Sequence, residues 1–296
     1  MAKQPIFRGA GAALITPMND DLSINYEKME ELIEKQIAGN TDALIIAGTT
    51  GESSTLSDEE HVEVIRFAKE KVRGRIPVIA GSGSNDTAYA VWLSQEAEKA
   101  GADGLLVVTP YYNKASQKGL FAHFKTVAKA TKLPMILYNV PSRTGCNILP
   151  ETAARLADTE NIVGIKEASG NLSQIAQTAA LCGDELPIYS GNDDQITAIL
   201  GVGGVGVISV LSNICPRETH DICSLWFEGR VKESIGLQLR YLDLIHALFS
   251  DVNPIPVKQA MNYMNMQVGS CRMPLCDMED ASAIALLNVL KKYRLA

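Results

Sequence analysis

Short apolar runs alternate with amphipathic stretches along most of the chain. GAALITP (11–17), TDALIIAGTTGE (41–52), IPVIAGSGS (76–84), GADGLLVVTPYY (101–112), LPMILYNVP (133–141), NIVGIKEAS (161–169), PIYSGND (187–193) and GVGVISVLSN (204–213) are each short and nearly all apolar. Runs of this kind are strands buried on both faces. Between them lie helical patterns. NYEKMEELIEKQIAG (25–39) carries Met29, Leu32, Ile33 and Ile37 at helical spacing. Ser57 with Glu60 three residues on is a capping box, opening a helix to about Val72. Further helices are expected over about 86–100, 117–131, 150–158, 172–182 and 216–229, with a short one in DQITAIL (194–200). Repeated strand–helix units of even size predict an α/β fold, a (β/α)8 TIM barrel. A doubly wound sheet is the alternative, but no GxGxxG follows the first strand and even units suit closure. From Val231 the pattern turns to helix after helix, over 231–249, 256–265 and 277–293. The expected organisation is a barrel over residues 1–230 and an appended C-terminal three-helix segment over 231–296, too small to be read as an independent domain.

Composition narrows the function classes. At 296 residues, with 46% apolar and 21% charged positions, the chain has material for a large core. A net charge of -7 disfavours nucleic acid and anionic membrane as partners. The N-terminal MAKQPIFRG has no apolar run of signal-peptide length, and the longest apolar stretches elsewhere are strand-sized. Six cysteines form no CxxC pair, and the histidines (61, 123, 220 and 246) stand at no zinc-ligand spacing. Free packing thiols in a reducing cytoplasm, with no metal, are the expectation.

The chemistry centres on Lys166, inside the apolar run of Ile162, Val163 and Ile165. Its charged form is disfavoured away from water. One reading is a lysine that snorkels to the strand end or pairs with Glu167. The other is an amine held partly neutral to attack a carbonyl and form a Schiff base. Polar residues at the other strand exits bear on the choice, because barrel active sites lie at the carboxyl ends of the strands. Gly48-Thr49-Thr50-Gly51-Glu52 is a tight turn whose amides suit a carboxylate, or simply a hydroxyl-capped turn. Tyr111 and Tyr112 leave the fourth strand and suit packing, an interface or a site. Tyr138, Asn139 and Arg143 leave the fifth; a phenol near an amine suits a proton shuttle, and an arginine fork suits a carboxylate or a surface ion pair. Gly203-Gly204 reads as a turn before a buried strand. Together these residues fit carbonyl chemistry better than hydrolysis.

GTTGE, VTPYYN, YNVPSRTG and GIKEASG, in this order and spacing, resemble the dihydrodipicolinate synthase group of the class I pyruvate-dependent aldolase family, which also includes N-acetylneuraminate lyase and keto-acid aldolases. The likeness covers nearly the whole chain, including NPIPVK (253–258). It implies a Schiff-base lyase condensing pyruvate with L-aspartate 4-semialdehyde in diaminopimelate and lysine biosynthesis, with no cofactor beyond the covalent adduct. The resemblance makes Lys166 the Schiff-base lysine, and Tyr138, Thr49 and Tyr112 the proton relay, with Tyr112 reaching a neighbouring subunit's site. Thr50 then holds pyruvate's carboxylate, Arg143 binds that of the aldehyde, and Gly191 and Ile208 line the pocket. It also implies a tight dimer within a homotetramer. Family members inhibited by lysine bind it through positions matching Ser53, Ser54, Asp58, His61, Asn85, Tyr89 and Tyr111. Histidine stands at Asp58 and glutamate at Tyr89 in the sensitive enzymes. Without that glutamate an ammonium-bearing effector has a poorer partner, so weak feedback is expected. The rival within the enzyme class is another pyruvate lyase, cleaving sialic acid or a hydroxy-keto acid. A catalytically silent keto-acid sensor is the non-enzyme alternative.

Overall fold

Each apolar run becomes a strand, and the strands close into a ring. The computed structural model describes residues 2–296. β1 (Gly9–Ala13) is followed by α1 (Tyr26–Ala38), β2 (Ala43–Ile46) by α2 (Asp58–Val72), and β3 (Val78–Gly81) by α3 (Thr87–Lys99). β4 (Gly104–Val108) leads to α4 (Gln117–Lys129), and β5 (Met135–Asn139) to the single turn α5 (Pro141–Thr144) and α6 (Pro150–Ala157). β6 (Ile162–Glu167) precedes α7 (Leu172–Cys182), β7 (Ile188–Ser190) precedes α8 (Ile196–Gly201), and β8 (Gly206–Ser209) precedes α9 (Pro216–Phe227). Neighbouring strands pair in parallel in chain order, and β8 returns to β1, giving a closed barrel. Closure rules out the doubly wound sheet, which has two free edges.

Local chemistry sets the helix starts. The Ser57 hydroxyl accepts from the Glu60 amide at 3.2 Å, and the Glu60 carboxylate accepts from the Ser57 amide at 2.9 Å, which completes the capping box. Asn25, Asp86, Ser116 and Asn171 cap α1, α3, α4 and α7, each side chain accepting one first-turn amide without the reciprocal bond.

After the barrel come α10 (Val231–Arg240), α11 (Leu242–Ala247), α12 (Ile255–Tyr263) and α13 (Asp280–Lys292). The single helix expected over 231–249 is therefore two. The break falls at Tyr241, whose amide is shared between the Leu237 and Gln238 carbonyls and whose ring stacks on Tyr293, centroids 5.2 Å apart. The first strand also lies earlier than its apolar run. Beyond Ala13 only Leu14 still bonds β2, and the Ile15 amide turns to the Asn213 side chain at 3.1 Å. Among the described residues no helix is long and apolar enough to cross a membrane.

Candidate active site at the barrel mouth

Strand register assembles the site. Lys166 on β6 is level with Tyr138 on β5, and Asn139 is level with Glu167. Side chains alternate across a strand, so Lys166 and Tyr138 share the inner face while Asn139 and Glu167 share the outer one. On that outer face Asn139 donates to Glu167 at 2.7 Å and the Ser169 hydroxyl donates to it at 2.6 Å. The Lys166–Glu167 ion pair open to a sequence reading is thus replaced by a side-chain network, and burial pushes the Glu167 carboxyl up. Lys166 is 6% exposed, so it does not snorkel.

The Lys166 Nζ lies 4.3 Å from the centre of the Tyr138 ring. Burial lowers its pKa from the ordinary lysine value to about 7; Asp193 opposes the shift and Arg143 adds to it. Burial pushes the Tyr138 phenol up, against the pull of Arg143 and a hydrogen bond from Thr49. Gly191 makes room for the amine: a Cβ there would lie 2.6 Å from the Ala168 Cβ and 3.1 Å from the Lys166 Cε. A side chain at this position clashes with Ala168 and crowds Lys166.

A cavity of about 170 Å³ opens above the amine, lined by Thr49, Thr50, Tyr138, Arg143, Lys166, Gly191 and Asn253 among others. Ile208 instead packs in the apolar interior with Tyr138 and Ala168. The turn after β2 folds back on itself, the Gly51 and Ser53 amides both bonding the Gly48 carbonyl. The Thr49 and Thr50 amides donate to nothing among the described residues, which leaves two N–H groups beside the cavity. Arg143 touches the Asn253 carbonyl at 3.4 Å and pairs with no carboxylate among the described residues, so its fork is open.

A second cavity of about 420 Å³ shares Thr49, Val140, Arg143 and Asn253 with the first and is also lined by Ser53, Ser54, His61, Tyr89 and Tyr111. Of the candidate effector positions, Asp58 reaches this group through Tyr89, whose hydroxyl donates to it at 2.5 Å. Burial and that carboxylate push the Tyr89 phenol up to about 12. Burial lowers the His61 pKa, and its Nε2 lies 2.7 Å from the Gly81 carbonyl. Asn85 presents its carbonyl to Asn113 at 2.8 Å. Tyr112 lies apart from both cavities and is 89% exposed. Its φ of 73° is left-handed, so the chain is not extended at the tyrosine pair. The pair diverges all the same: Tyr111 turns to the larger cavity and Tyr112 to solvent.

Residues that the pattern of apolar runs did not flag complete the site's support. Asn253, in the loop before α12, donates from Nδ2 to the Thr50 hydroxyl at 2.9 Å. Lys258 on α12, 2% exposed, pairs with Glu52 at 2.7 Å and also reaches the Ser270 and Thr16 carbonyls. Glu52 takes a second bond from the Arg272 amide at 2.8 Å. The signal for these residues was NPIPVK and the glutamate closing GTTGE. Asp193, after β7, is buried and faces Lys166, with a polar PIYSGND run as its trace in the sequence. Among the described residues no three metal-ligating side chains come together.

These features define a class: a (β/α)8 barrel with an amine set for carbonyl chemistry at its mouth. Residues 6–293 match the model of the dihydrodipicolinate synthetase family. The chain belongs to that family and is an enzyme, a lyase. It is 58% identical over 291 residues to the 4-hydroxy-tetrahydrodipicolinate synthase of Lachnoclostridium phytofermentans, covering 98% of this chain and 99% of that one. It is 56% identical to the enzyme of the same name from Clostridium perfringens strain 13, with 97% and 98% covered. The crystal structure of dihydrodipicolinate synthase from Thermotoga maritima superposes with a TM-score of 0.96 at 42% identity, covering 99% of this chain and 100% of that one. A structure described as the first monomeric dihydrodipicolinate synthase variant gives 0.96 at 43%, with 98% of each covered.

Proposed function

We propose that this chain catalyses the reaction for which its relatives are named, condensing pyruvate with L-aspartate 4-semialdehyde. The observation that carries this is Lys166: buried, paired with no carboxylate at contact distance, level with Tyr138, and lowered to about 7. An unperturbed lysine near pKa 10.4 leaves about one amine in a thousand neutral at pH 7.5, whereas a value near 7 leaves roughly three in four. The neutral amine adds to pyruvate's ketone and water leaves, giving an iminium. The iminium draws electrons from the methyl group, which loses a proton through the relay of Tyr138, Thr49 and Tyr112. The enamine so formed attacks the aldehyde, and the substrate's own amine then closes the ring and releases Lys166. The iminium formed on Lys166 is the electron sink, so the chemistry requires neither metal nor organic cofactor.

The free amides beside Thr50 fit pyruvate's carboxylate, and the open fork of Arg143 fits the carboxylate of the semialdehyde. Gly191 keeps space for the adduct, while Ile208 supplies apolar packing beneath it. Ser53, Ser54, Asp58, His61, Asn85, Tyr89 and Tyr111 are read as effector positions, with Tyr89 already committed to Asp58. An exposed Tyr112 favours a dimer in which it completes the neighbour's relay, within a homotetramer. Five buried free thiols suit a reducing cytoplasm. The test is an assay of pyruvate with aspartate semialdehyde beside N-acetylneuraminate and hydroxy-keto acids. Turnover of the first pair supports the reading; cleavage of either of the others at a higher kcat/KM replaces it.

A further inference from the structure

The cation formed on Lys166 sits where little water reaches, and the fold keeps one carboxylate facing it. Asp193 is 2% exposed, two residues beyond Gly191, whose own position is already in contact range of the Lys166 side chain. Its Oδ2 accepts from the Val210 and Leu211 amides at 3.0 and 2.9 Å, so the turn after β8 fixes the carboxyl in place. Its Oδ1 is buried with no donor within hydrogen-bond distance. A buried carboxylate oxygen without a donor costs stability, and such groups are usually satisfied. The charges that bias it are few: Lys166 is the cation facing it, and the Ser209 hydroxyl stands close. Cys223 of α9 also faces it, but burial pushes that thiol up, so it stays neutral. Arg143 also acts on Lys166, and it is of the wrong sign to hold a second cation.

We propose that Asp193 is the fixed counter-charge of the iminium, a positioning residue that stabilises the cationic adduct on Lys166 without touching the relay. The inference rests on the Schiff-base reading above. In the condensation the Lys166 nitrogen bonds the ketone carbon, and the ketone oxygen leaves as water, taking one proton from the amine and one from the relay. The nitrogen is left bonded to carbon with one positive charge. A neutral amine needs no partner, but the iminium does, and it cannot shed its charge by losing a proton without forming the less reactive imine. Burial pushes the Asp193 carboxyl up, and the Ser209 hydroxyl, then the Leu211 and Val210 amides, and last the Lys166 charge pull it down. Carboxylate near cation at low dielectric favours the charged form of both.

Asp193→Asn in the full-length enzyme separates this role from a structural one, since the amide oxygen still accepts from Val210 and Leu211. Without the anion the Lys166 amine loses its proton more easily, so the acid limb of kcat/KM for pyruvate moves to lower pH by about one unit. The adduct loses its counter-charge, so the pyruvate concentration giving half-maximal borohydride trapping rises about tenfold. An unmoved acid limb with unchanged trapping, whatever happens to Tm, overturns the proposal. Wild-type enzyme that cannot be trapped on Lys166 overturns the Schiff-base reading instead. If the variant does not fold, infrared difference spectra of the native enzyme labelled with ¹³C-aspartate decide. A buried ionised carboxylate whose bands shift as pyruvate forms the adduct supports the role, and bands unmoved by pyruvate reject it.

Discussion

Lys166 Nζ stands 4.3 Å from the centre of the Tyr138 ring, one strand away at the same register. An electron-rich ring tolerates a nearby cation, yet burial outweighs it and the amine is lowered to about 7. Borohydride trapping with pyruvate should therefore speed about tenfold per pH unit below 7 and level off above it. The adduct should map to Lys166, and Lys166→Ala should abolish it. A rate still climbing tenfold per unit at pH 9 contradicts the lowered value. The sign for stability follows too: between about 7 and 10.4 the unfolded lysine holds a proton that the folded one has lost, so this group favours folding increasingly as pH rises through that window.

On the proposed reading Arg143 separates the two substrates. Its guanidinium is exposed at the shared wall of both cavities and free of acidic partners among the described residues. Arg143→Ala should raise KM for aspartate semialdehyde far more than for pyruvate. Losing such a charged bond costs roughly 2–4 kcal/mol, or about 30- to 1,000-fold in kcat/KM. Equal losses on both substrates assign the residue to scaffolding.

Feedback by L-lysine should be weak. The Tyr89 phenol offers no negative charge, the Asp58 carboxylate already accepts its hydrogen bond at 2.5 Å, and Glu52 on the cavity wall is paired with Lys258. Steady-state rates with lysine titrated in should fall only at millimolar concentrations or above. An inhibition constant well below millimolar refutes this and requires another acid in the cavity.

Tyr112 bears on assembly. Tyr112→Phe removes a hydroxyl from an exposed ring and leaves the subunits associated, yet should slow turnover at least about tenfold if that hydroxyl relays protons. Mixing Tyr112→Phe with Lys166→Ala should restore part of the activity, because one site per mixed pair then has both an intact lysine and an intact tyrosine. Subunit exchange seen by native mass spectrometry without recovered activity excludes a shared site.

The barrel was legible because parallel strands buried on both faces leave uninterrupted apolar runs, and caps such as Ser57–Glu60 mark the helices between them. Lys166 stood out for the same reason, as a charge in an apolar run. Less visible was whatever depends on distant partners. Nothing local to Tyr241 marks the break between α10 and α11, which belongs to its stacking on Tyr293. Asp193 looks like one of two ordinary acids in a turn until the amides of the turn after β8 close on it. The left-handed backbone at Tyr112 is likewise set by its loop, where its amide reaches the Thr144 carbonyl.

The Lys258–Glu52 pair gives the site an order of construction. Chains leave the ribosome amino end first, and domains generally fold as synthesis proceeds. Glu52 and the turn that carries Thr49 and Thr50 emerge some two hundred residues ahead of the cation that neutralises them, the separation being 206 positions. Until α12 has emerged and docked, a nascent barrel holds a carboxylate in its interior with nothing opposite, and a buried charge stripped of its partner costs about 3–5 kcal/mol. The mouth of the barrel is therefore the last part of the molecule to become stable, and a polypeptide interrupted between residues 209 and 258 has every strand and an unfinished active site.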